Sequence, residues 1–325
     1  MNELYPLKFI PIYKEKIWGG QQLKHLPGKS FDPLPNCGES WELSGVSNNI
    51  SVVENGFLAG NALTELAEVY MGDLLGEKIH AGFGPTFPLL FKFLDAADTL
   101  SVQVHPGDAF ALERHQSRGK AEMWYVMQAE KGAKIYAGFK RDTTSDEFMH
   151  FVREGRLEEI LKVEEVSAGD VFYIPPGHIH AIGKGITLCE IQQASDITYR
   201  IYDWNRSIAG GGVRKLHLEE AIEVLDFKAG NHKVSYSPIM GEPVELVRNQ
   251  FFTTRLLDFD QQVLTDYILV DSFVVYVCIE GSFTIVYASG SLEVKTGDTI
   301  LLPADLKAIE LLPKQRTRII ETYIS

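Results

Sequence analysis

GDVFYIPPGHIH, residues 169–180, opens on a Gly-Asp turn, runs through four strand-forming residues and ends in a Pro-Pro-Gly turn that delivers two histidines. Residues 297–308, GDTILLPADLKA, repeat the plan: Gly-Asp, four strand residues, then proline. Both segments follow strand-like runs at a similar distance. The repetition implies two related β units, one ending near residue 235 and one running from about 240 to 325. The segment between them, HKVSYSPIMGEPVE from His232, is polar and turn-rich, as a linker should be. Asp305 and Ala308 stand where the first copy has Gly177 and His180. Chemistry is therefore expected in the first unit, with the second covering its edge.

Outward from that stretch the pattern stays mainly β. Val102–Val104, Met123–Met127, Ile135–Phe139, Val171–Ile174, Ile186–Ile191 and Thr198–Tyr202 read as short strands. Residues 272–287 read as two strands around Glu280-Gly281, followed by Leu292–Lys295 and Thr299–Leu302. Helices are fewer. Asn61 is a candidate cap for ALTELAEVYMGDLL, whose Leu63, Leu66, Ala67 and Tyr70 share a face. Thr144 and Glu147 have capping-box spacing, and that helix is expected to run to about Leu161. Lys215–Leu225 and Asp108–His115 complete the set.

The chain has 325 residues, 45% of them hydrophobic and 23% charged, the profile of a globular protein with room for about two domains. With 31 basic and 44 acidic residues the net charge is −13, which disfavours nucleic acid and anionic membranes as partners. Three scattered cysteines, Cys37, Cys189 and Cys278, give no disulfide framework. No signal pattern or long apolar run is present. A cytoplasmic protein is expected, working as a monomer or weak dimer.

Four positions of the first unit look like metal ligands. Gln103 and His105, in LSVQVHPGD, are two apart and so share one face of a strand, while Val102 and Val104 face the core. Glu122 begins another strand in GKAEMWYV, and His180 follows the Pro-Pro-Gly turn. Two imidazoles and a carboxylate suit zinc or iron, and an amide oxygen can complete the set while leaving a position open. A histidine beside a strand is ordinarily a hydrogen-bonded structural residue; the combination is what points to a metal. His178 lies two residues from His180, but the spacing from the turn favours His180. His25, His80, His115, His150, His217 and His232 stand in no ligand pattern.

GDVFYIPPGHIH resembles the second cupin motif, Gly-x5-Pro-x-Gly-x2-His, at Gly169, Pro175, Gly177 and His180. The surrounding chain resembles the type I mannose-6-phosphate isomerases (phosphomannose isomerases) of the cupin superfamily, in their short bacterial form. The resemblance rests on GESWELSG (38–45), FPLLFKFLDAADTLSVQVHP (87–106), GKAEMWYV (119–126), GDVFYIPPGHIHAIGKG (169–185) and the block ending at Asp203, CEIQQASDITYRIYD. It implies a mainly β fold with added helices, built as two cupin-like β-barrel or jelly-roll units of which only the first keeps the metal site. On that reading a catalytic unit spans 1–235, with helical additions near 61–75 and 144–165, and a degenerate unit spans 240–325.

The resemblance also implies reversible isomerisation of mannose 6-phosphate and fructose 6-phosphate with one zinc ion per chain, held by Gln103, His105, Glu122 and His180. The family's catalytic positions fall on Lys120 and Arg200, and its substrate positions on Lys92, Ser101, Glu190 and Asp196. Such a reaction opens the sugar ring and moves a proton between carbons 1 and 2 through a cis-enediol(ate), which needs a base, an electrophile and exclusion of water. Lys120, two residues before Glu122, points by strand parity into the same cavity, although a lysine at a strand start can equally reach solvent. Lys120, Glu190 and a metal-bound water all remain open as proton carrier. Arg200 offers a planar fork for an enediolate or phosphate, or a salt bridge to Asp203 or Asp196. Lys92 sits in an apolar run and needs a partner, either a structural carboxylate such as Asp95 or the substrate phosphate, with phosphate the favoured reading. Ser101 shares the face of Gln103. Glu190 and Gln192 share a face that could orient sugar hydroxyls. Trp41 reads as core and Glu42 as a brace for the site. The AGGG run at 209–212 is not in Walker or dinucleotide spacing and reads as a flexible loop, a candidate gate. Two other functions share the pattern: an iron-dependent dioxygenase and a non-catalytic sugar-binding cupin. The cations Lys92, Lys120 and Arg200 favour a phosphosugar pocket over an oxygenase one.

Overall fold

The computed structural model describes residues 3–207 and 211–325. Among them the strands are, in chain order, β1 (Leu7–Lys8), β2 (Ile12–Lys14), β3 (Glu39–Ser44), β4 (Leu89–Ala96), β5 (Val102–Val104), β6 (Glu122–Ala129), β7 (Lys134–Phe139), β8 (Leu161–Glu165), β9 (Val171–Ile174), β10 (His180–Ile182), β11 (Ile186–Gln193), β12 (Tyr199–Tyr202) and β13 (Lys233–Val234). The remainder are β14 (Pro243–Arg248), β15 (Thr253–Phe259), β16 (Val263–Asp266), β17 (Val274–Glu280), β18 (Ser282–Tyr287), β19 (Gly290–Lys295), β20 (Thr299–Leu302), β21 (Ala308–Pro313) and β22 (Thr317–Tyr323). Five α-helices accompany them: α1 (Leu63–Leu75), α2 (Glu77–Phe83), α3 (Asp108–His115), α4 (Ser145–Arg153) and α5 (Leu218–Val224). The protein is mostly β with helices added, as the sequence reading expects. No helix among the described residues is long and apolar enough to cross a membrane. All three cysteines are buried and unbridged.

Each unit is two facing antiparallel sheets. In the first, the order β13-β9-β6-β11-β4-β3-β2 faces β12-β5-β10-β7-β8. In the second, β1-β20-β17-β22-β15-β14 faces β16-β21-β18-β19. The eight strands β4 to β11 thus recur, in chain order and with the same neighbours, as β15 to β22. The Gly-Asp repeat is the sequence trace of that recurrence. The N-terminal strand β1 crosses to the second unit, where Leu7 pairs with Leu301, in the place that β13 holds beside β9.

Alternation of side chains explains how the layers stack. On β4, Leu94 points between the two sheets of its own unit, into a core shared with Trp124, Ile135 and Phe172. Phe91 and Phe93 point the other way, into a second core that also takes Val275, Val277, Leu301 and Ile320 from the second unit. The large sheet of the first unit is therefore buried on both faces. The expectation that the second unit covers an edge is corrected: it covers a face, because the odd-numbered residues of β4 are as apolar as the even-numbered ones facing the core.

Helix boundaries differ from the sequence reading in three places. Asn61 does not cap α1; its amide donates to the Leu58 carbonyl, and the Glu65 carboxylate takes the Ala62 N–H instead. Thr144 does cap α4, accepting from the Glu147 N–H at 3.2 Å. That helix ends at Arg153 rather than Leu161, because Leu161 is claimed by β8, which pairs with β7. The predicted helix over Lys215–Leu225 is confined to Leu218–Val224.

The Pro-Pro-Gly turn is stitched to its surroundings. The Gly177 N–H donates to the His105 carbonyl at 2.8 Å, and the Asp226 N–H donates to the Gly177 carbonyl at 2.8 Å. Gly177 has φ +84, and a Cβ there would lie 2.8 Å from the Val224 carbonyl oxygen. Left-handed backbone costs a non-glycine residue roughly 1–2 kcal/mol, and the contact adds to it. Gly177→Ala is expected to destabilise the protein by more than about 1 kcal/mol and to weaken metal binding. Thermal denaturation with and without added zinc checks both, and an unchanged melting temperature would contradict this account of the turn.

Candidate metal centre

Strands β12, β5 and β10 lie side by side, with Arg200 opposite Gln103 and Gln103 opposite His180. Glu122 enters from the facing sheet at the start of β6, and His105 follows β5. The resulting cluster of His105, Glu122 and His180 is fully buried, with one ligand atom of each within 4.8 Å of the others. Glu122 Oε1 lies 3.3 Å from His105 Nε2, and Oε2 lies 3.6 Å from His180 Nε2. His105 Nδ1 is 2.8 Å from the Ile197 carbonyl and His180 Nδ1 is 2.8 Å from the His178 carbonyl. Each Nδ1–H donates to its carbonyl, so each Nε2 lone pair turns to the centre of the cluster.

Electrostatics agree with this tautomer. Burial, followed by the neighbouring His105, lowers His180 to about 3. Burial and then Lys120 lower His105 as well. Both rings are neutral near pH 7. Burial alone would raise the Glu122 carboxyl, but the Lys120 ammonium beside it holds it well below the usual range. Both Glu122 oxygens are buried without a hydrogen-bond partner of good geometry. A buried carboxylate so placed, facing two neutral imidazole lone pairs, suits a divalent cation. Gln103 Nε2 lies 3.3 Å from His180 Nε2, and exchange of the amide nitrogen and oxygen turns its acceptor to the same point. The residues therefore fit a metal ion. His178 is turned away, toward His232 and Asp226.

The cluster borders a cavity of about 330 Å³. Lys92, Ser101, Gln103, Lys120, Glu190, Asp196 and Arg200 all line it. The structure thus brings together all ten residues singled out from the sequence. Lys120 Nζ lies 2.5 Å from Glu122 Oε1 and 3.3 Å from His105 Nε2, joining cluster and cavity. Lys16, Glu39, Trp41 and Arg214 also line the cavity and were not singled out as site residues. Glu39 was legible by parity, since it shares a strand face with Trp41. Nothing in the sequence around Lys16 or Arg214 marks them.

Several partner assignments are settled. Lys92 does have structural carboxylates as partners, but Asp95 is not one of them: its Oδ2 accepts the Gln22 N–H on the other side of the sheet. Lys92 Nζ instead lies 3.0 Å from Glu190 and 3.8 Å from Glu39, and 5.1 Å from the Trp41 ring centre. Burial would lower Lys92, but Glu190 and Glu39 more than offset it and the lysine stays charged. Burial works against Glu39 too, yet Lys92, Lys16 and the Trp41 N–H hold it down to about 2. Glu42 does not brace the site. It lies on the opposite face, in a buried ion pair with Lys29 and 2.5 Å from the Ser40 hydroxyl. Trp41 is core, as read, buried with Val46 and Leu90, and it also forms a wall of the cavity. The Gln192 amide donates to the Gln193 and Ser195 carbonyls and does not line the cavity.

Arg200 differs from the other cations of the wall. Lys16 pairs with Glu39, Lys92 with Glu190, Lys120 with Glu122, and Arg214 with Asp203. Asp203 is also taken by Arg206, so neither it nor Asp196 pairs with Arg200. The Arg200 guanidinium donates once, to the Lys215 carbonyl at 2.9 Å, and its Nε is buried without a partner. Among the described residues it is the cavity cation with no carboxylate against it. Of the AGGG run, Ala209 and Gly210 lie outside the described residues, while Gly211 and Gly212 have φ +91 and +94.

Proteins of known kind are similar to this chain in sequence and in fold. The family model described as phosphomannose isomerase type I, catalytic domain, matches residues 6–133. The chain is 36% identical over 320 residues to a mannose-6-phosphate isomerase of Bacillus subtilis (strain 168), spanning 94% of this chain and 95% of that one. It is 38% identical over 309 residues to a mannose-6-phosphate isomerase of Streptococcus mutans, spanning 93% and 94%. The crystal structure of a Bacillus subtilis mannose 6-phosphate isomerase superposes with a TM-score of 0.87 at 30% identity, covering 98% of this chain and 99% of that one.

The buried imidazoles predict an acid limit for the metal-free protein. A histidine held near 3 in the fold and near 6.5 when unfolded binds its proton only on unfolding. Its contribution to stability is full above about pH 6.5 and is lost as pH falls toward about 3. Melting temperatures of the chelated protein should decline steadily over that interval and level off above it. A flat profile below pH 6.5 would show that the rings are not held neutral.

Proposed function

The chain belongs to the type I mannose-6-phosphate isomerases, and on that premise we propose that it interconverts mannose 6-phosphate and fructose 6-phosphate with one zinc ion held by Gln103, His105, Glu122 and His180. The observation that carries this reading is one cavity in which Lys120 touches a buried metal-fitting cluster while Arg200 keeps an unbalanced positive charge. A phosphosugar needs both. An oxygenase pocket of the same fold is better served by apolar walls, whereas five cations line this one.

Isomerisation moves a proton between adjacent carbons through a cis-enediol(ate). Lys120 is the group assigned to that proton: its Nζ is buried in the cavity wall and, as the uncharged amine, takes the proton from one carbon and returns it to the next. Arg200 balances the substrate's negative charge, which sits on the phosphate throughout and on the enediolate in transit. Ser101 donates to the phosphate from the same wall, and Glu190 and Asp196 accept sugar hydroxyls. Zinc, when bound, supplies a Lewis acid that polarises a sugar oxygen.

The catalytic unit in this reading is 1–235. The unit at 240–325 gives the large sheet its second apolar layer. The acidic surface and unbridged cysteines support a cytoplasmic enzyme that acts on a small phosphosugar, without nucleic acid or membrane, as a monomer or weak dimer.

Purified protein should convert mannose 6-phosphate to fructose 6-phosphate, lose that activity on chelation and regain it with zinc. A folded, zinc-loaded sample without activity would reject the substrate assignment. Lys120→Ala should keep its zinc and lose turnover by about 100-fold or more, whereas His180→Ala should lose zinc and activity together. Metal analysis beside steady-state rates separates the two. Near-full turnover in Lys120→Ala would move the proton to another group.

A further inference from the structure

Three adjacent strands of the first unit carry, side by side, Trp124 on β6, Glu190 on β11 and Lys92 on β4. The corresponding strands of the second unit carry Tyr276 on β17, Glu321 on β22 and Arg255 on β15, again opposite one another. The Gly-Asp repeat fixes this equivalence independently. Phe172 stands opposite Trp124 and Ile300 opposite Tyr276, and each lies three residues after the glycine of its repeat.

The contacts recur with the positions. In the first unit, Glu190 Oε1 takes Lys92 at 3.0 Å and Oε2 takes the Trp124 N–H at 2.9 Å. In the second, Glu321 Oε1 takes Arg255 Nε at 2.6 Å and Oε2 takes the Tyr267 hydroxyl at 2.5 Å, which in turn bonds Tyr276. Both carboxylates are buried and both are held at each oxygen.

The metal ligands do not recur. By the same registers Val274 stands for Glu122, Ala308 for His180 and Asp266 for Gln103. The space between the second unit's sheets is filled by Leu257, Phe259, Val274, Phe283 and Ile285. A cation, a carboxylate and an aromatic residue have therefore been kept where the metal site is gone. What the second unit retains without a metal site, it retains for its sheet.

From this we infer that Lys92 is a positioning residue that clamps the Glu190 carboxylate, and is not a ligand of the substrate phosphate. The inference rests on the reading of the cavity as a phosphosugar site. Local charge agrees with it. A phosphate at Lys92 would sit beside both Glu39 and Glu190, whose charges repel it, while Arg200 in the same cavity forms no salt bridge with a carboxylate among the described residues. Clamped by Lys92 and Trp124, Glu190 turns its remaining lone pairs toward the cavity, where sugar hydroxyls can donate to them.

The test uses the zinc-loaded protein and the variants Lys92→Met, Lys92→Arg and the pair Lys92→Met/Glu190→Gln, which leaves no unpaired buried charge if Lys92→Met alone does not fold. Positioning predicts that Lys92→Met loses about 100-fold in kcat while the inhibition constant of inorganic phosphate stays within about twofold of wild type. Lys92→Arg, the residue that the second unit uses at this register, should restore most of the lost rate. In the paired variant, inorganic phosphate followed by calorimetry should bind as it does to the wild type. Phosphate binding weakened tenfold or more in either variant, with kcat kept in Lys92→Met, would overturn the inference. Melting temperatures test the clamp without reference to turnover: the paired variant should lose less than Lys92→Met and Glu190→Gln do in sum. Additive losses would refute the clamp, whereas a wild-type protein inactive on mannose 6-phosphate would sink the isomerase reading and leave the clamp to the melting data.

Discussion

A carboxylate buried between two sheets must be answered by positive charge or by a metal, and Glu122 is the point from which the first unit is organised. Its side chain is fully enclosed, and taking a charge out of water costs several kcal/mol that only close partners offset. Lys120, His105 and His180 all converge on it, each from a different strand or turn. The Pro-Pro-Gly turn exists to bring His180 there, and its Gly177 N–H ties the turn to the His105 carbonyl. The imidazoles are kept neutral by the same burial that makes the carboxylate expensive. One physical demand therefore shapes the ligands, their tautomers and the turn that carries them.

The rigidity of that arrangement comes from the sheet behind it. Strands β4 and β11 are buried along their whole length, with one face on the unit's own interior and the other on the second unit. A strand packed on both sides cannot slip by one residue without exposing an entire apolar row. Lys92, Glu190 and Trp124 therefore hold their relation to the metal cluster. The second unit contributes to the site without touching it, through Val275, Val277, Leu301 and Ile320 at the shared core.

Much of this was legible in the residues. The Gly-Asp-strand-Pro repeat announced two units because both copies need the same tight turn before the same short strand. Gln103 and His105 announced a shared face because side chains alternate along a strand. Glu39 obeyed the same parity and could have been found from Trp41. Other features were not legible. Asn61 has the chemistry of a cap, yet the cap position falls one residue later, on Ala62, whose N–H goes to Glu65 while the Asn61 amide donates to the Leu58 carbonyl. Leu161 continues an acceptable helical pattern, yet pairing with β7 wins, since a ladder of backbone bonds outweighs a weak local preference.

The sequence by itself determined the mainly β architecture, the duplication, the candidate ligand cluster and its absence from the second copy. Those properties are local: spacing, turn chemistry and strand parity are read within a few residues. Only the tertiary structure decided what the charges do. Whether Lys92 meets Asp95 or Glu190, whether Glu42 faces the site or Lys29, and which arginine is left unbalanced all depend on side chains distant in the chain. The second unit's place on a face of the sheet, rather than at its edge, was decided in the same way. An ion pair or a packed face is chosen by three-dimensional proximity and by the cost of burying it alone, and neither is written in the order of the residues.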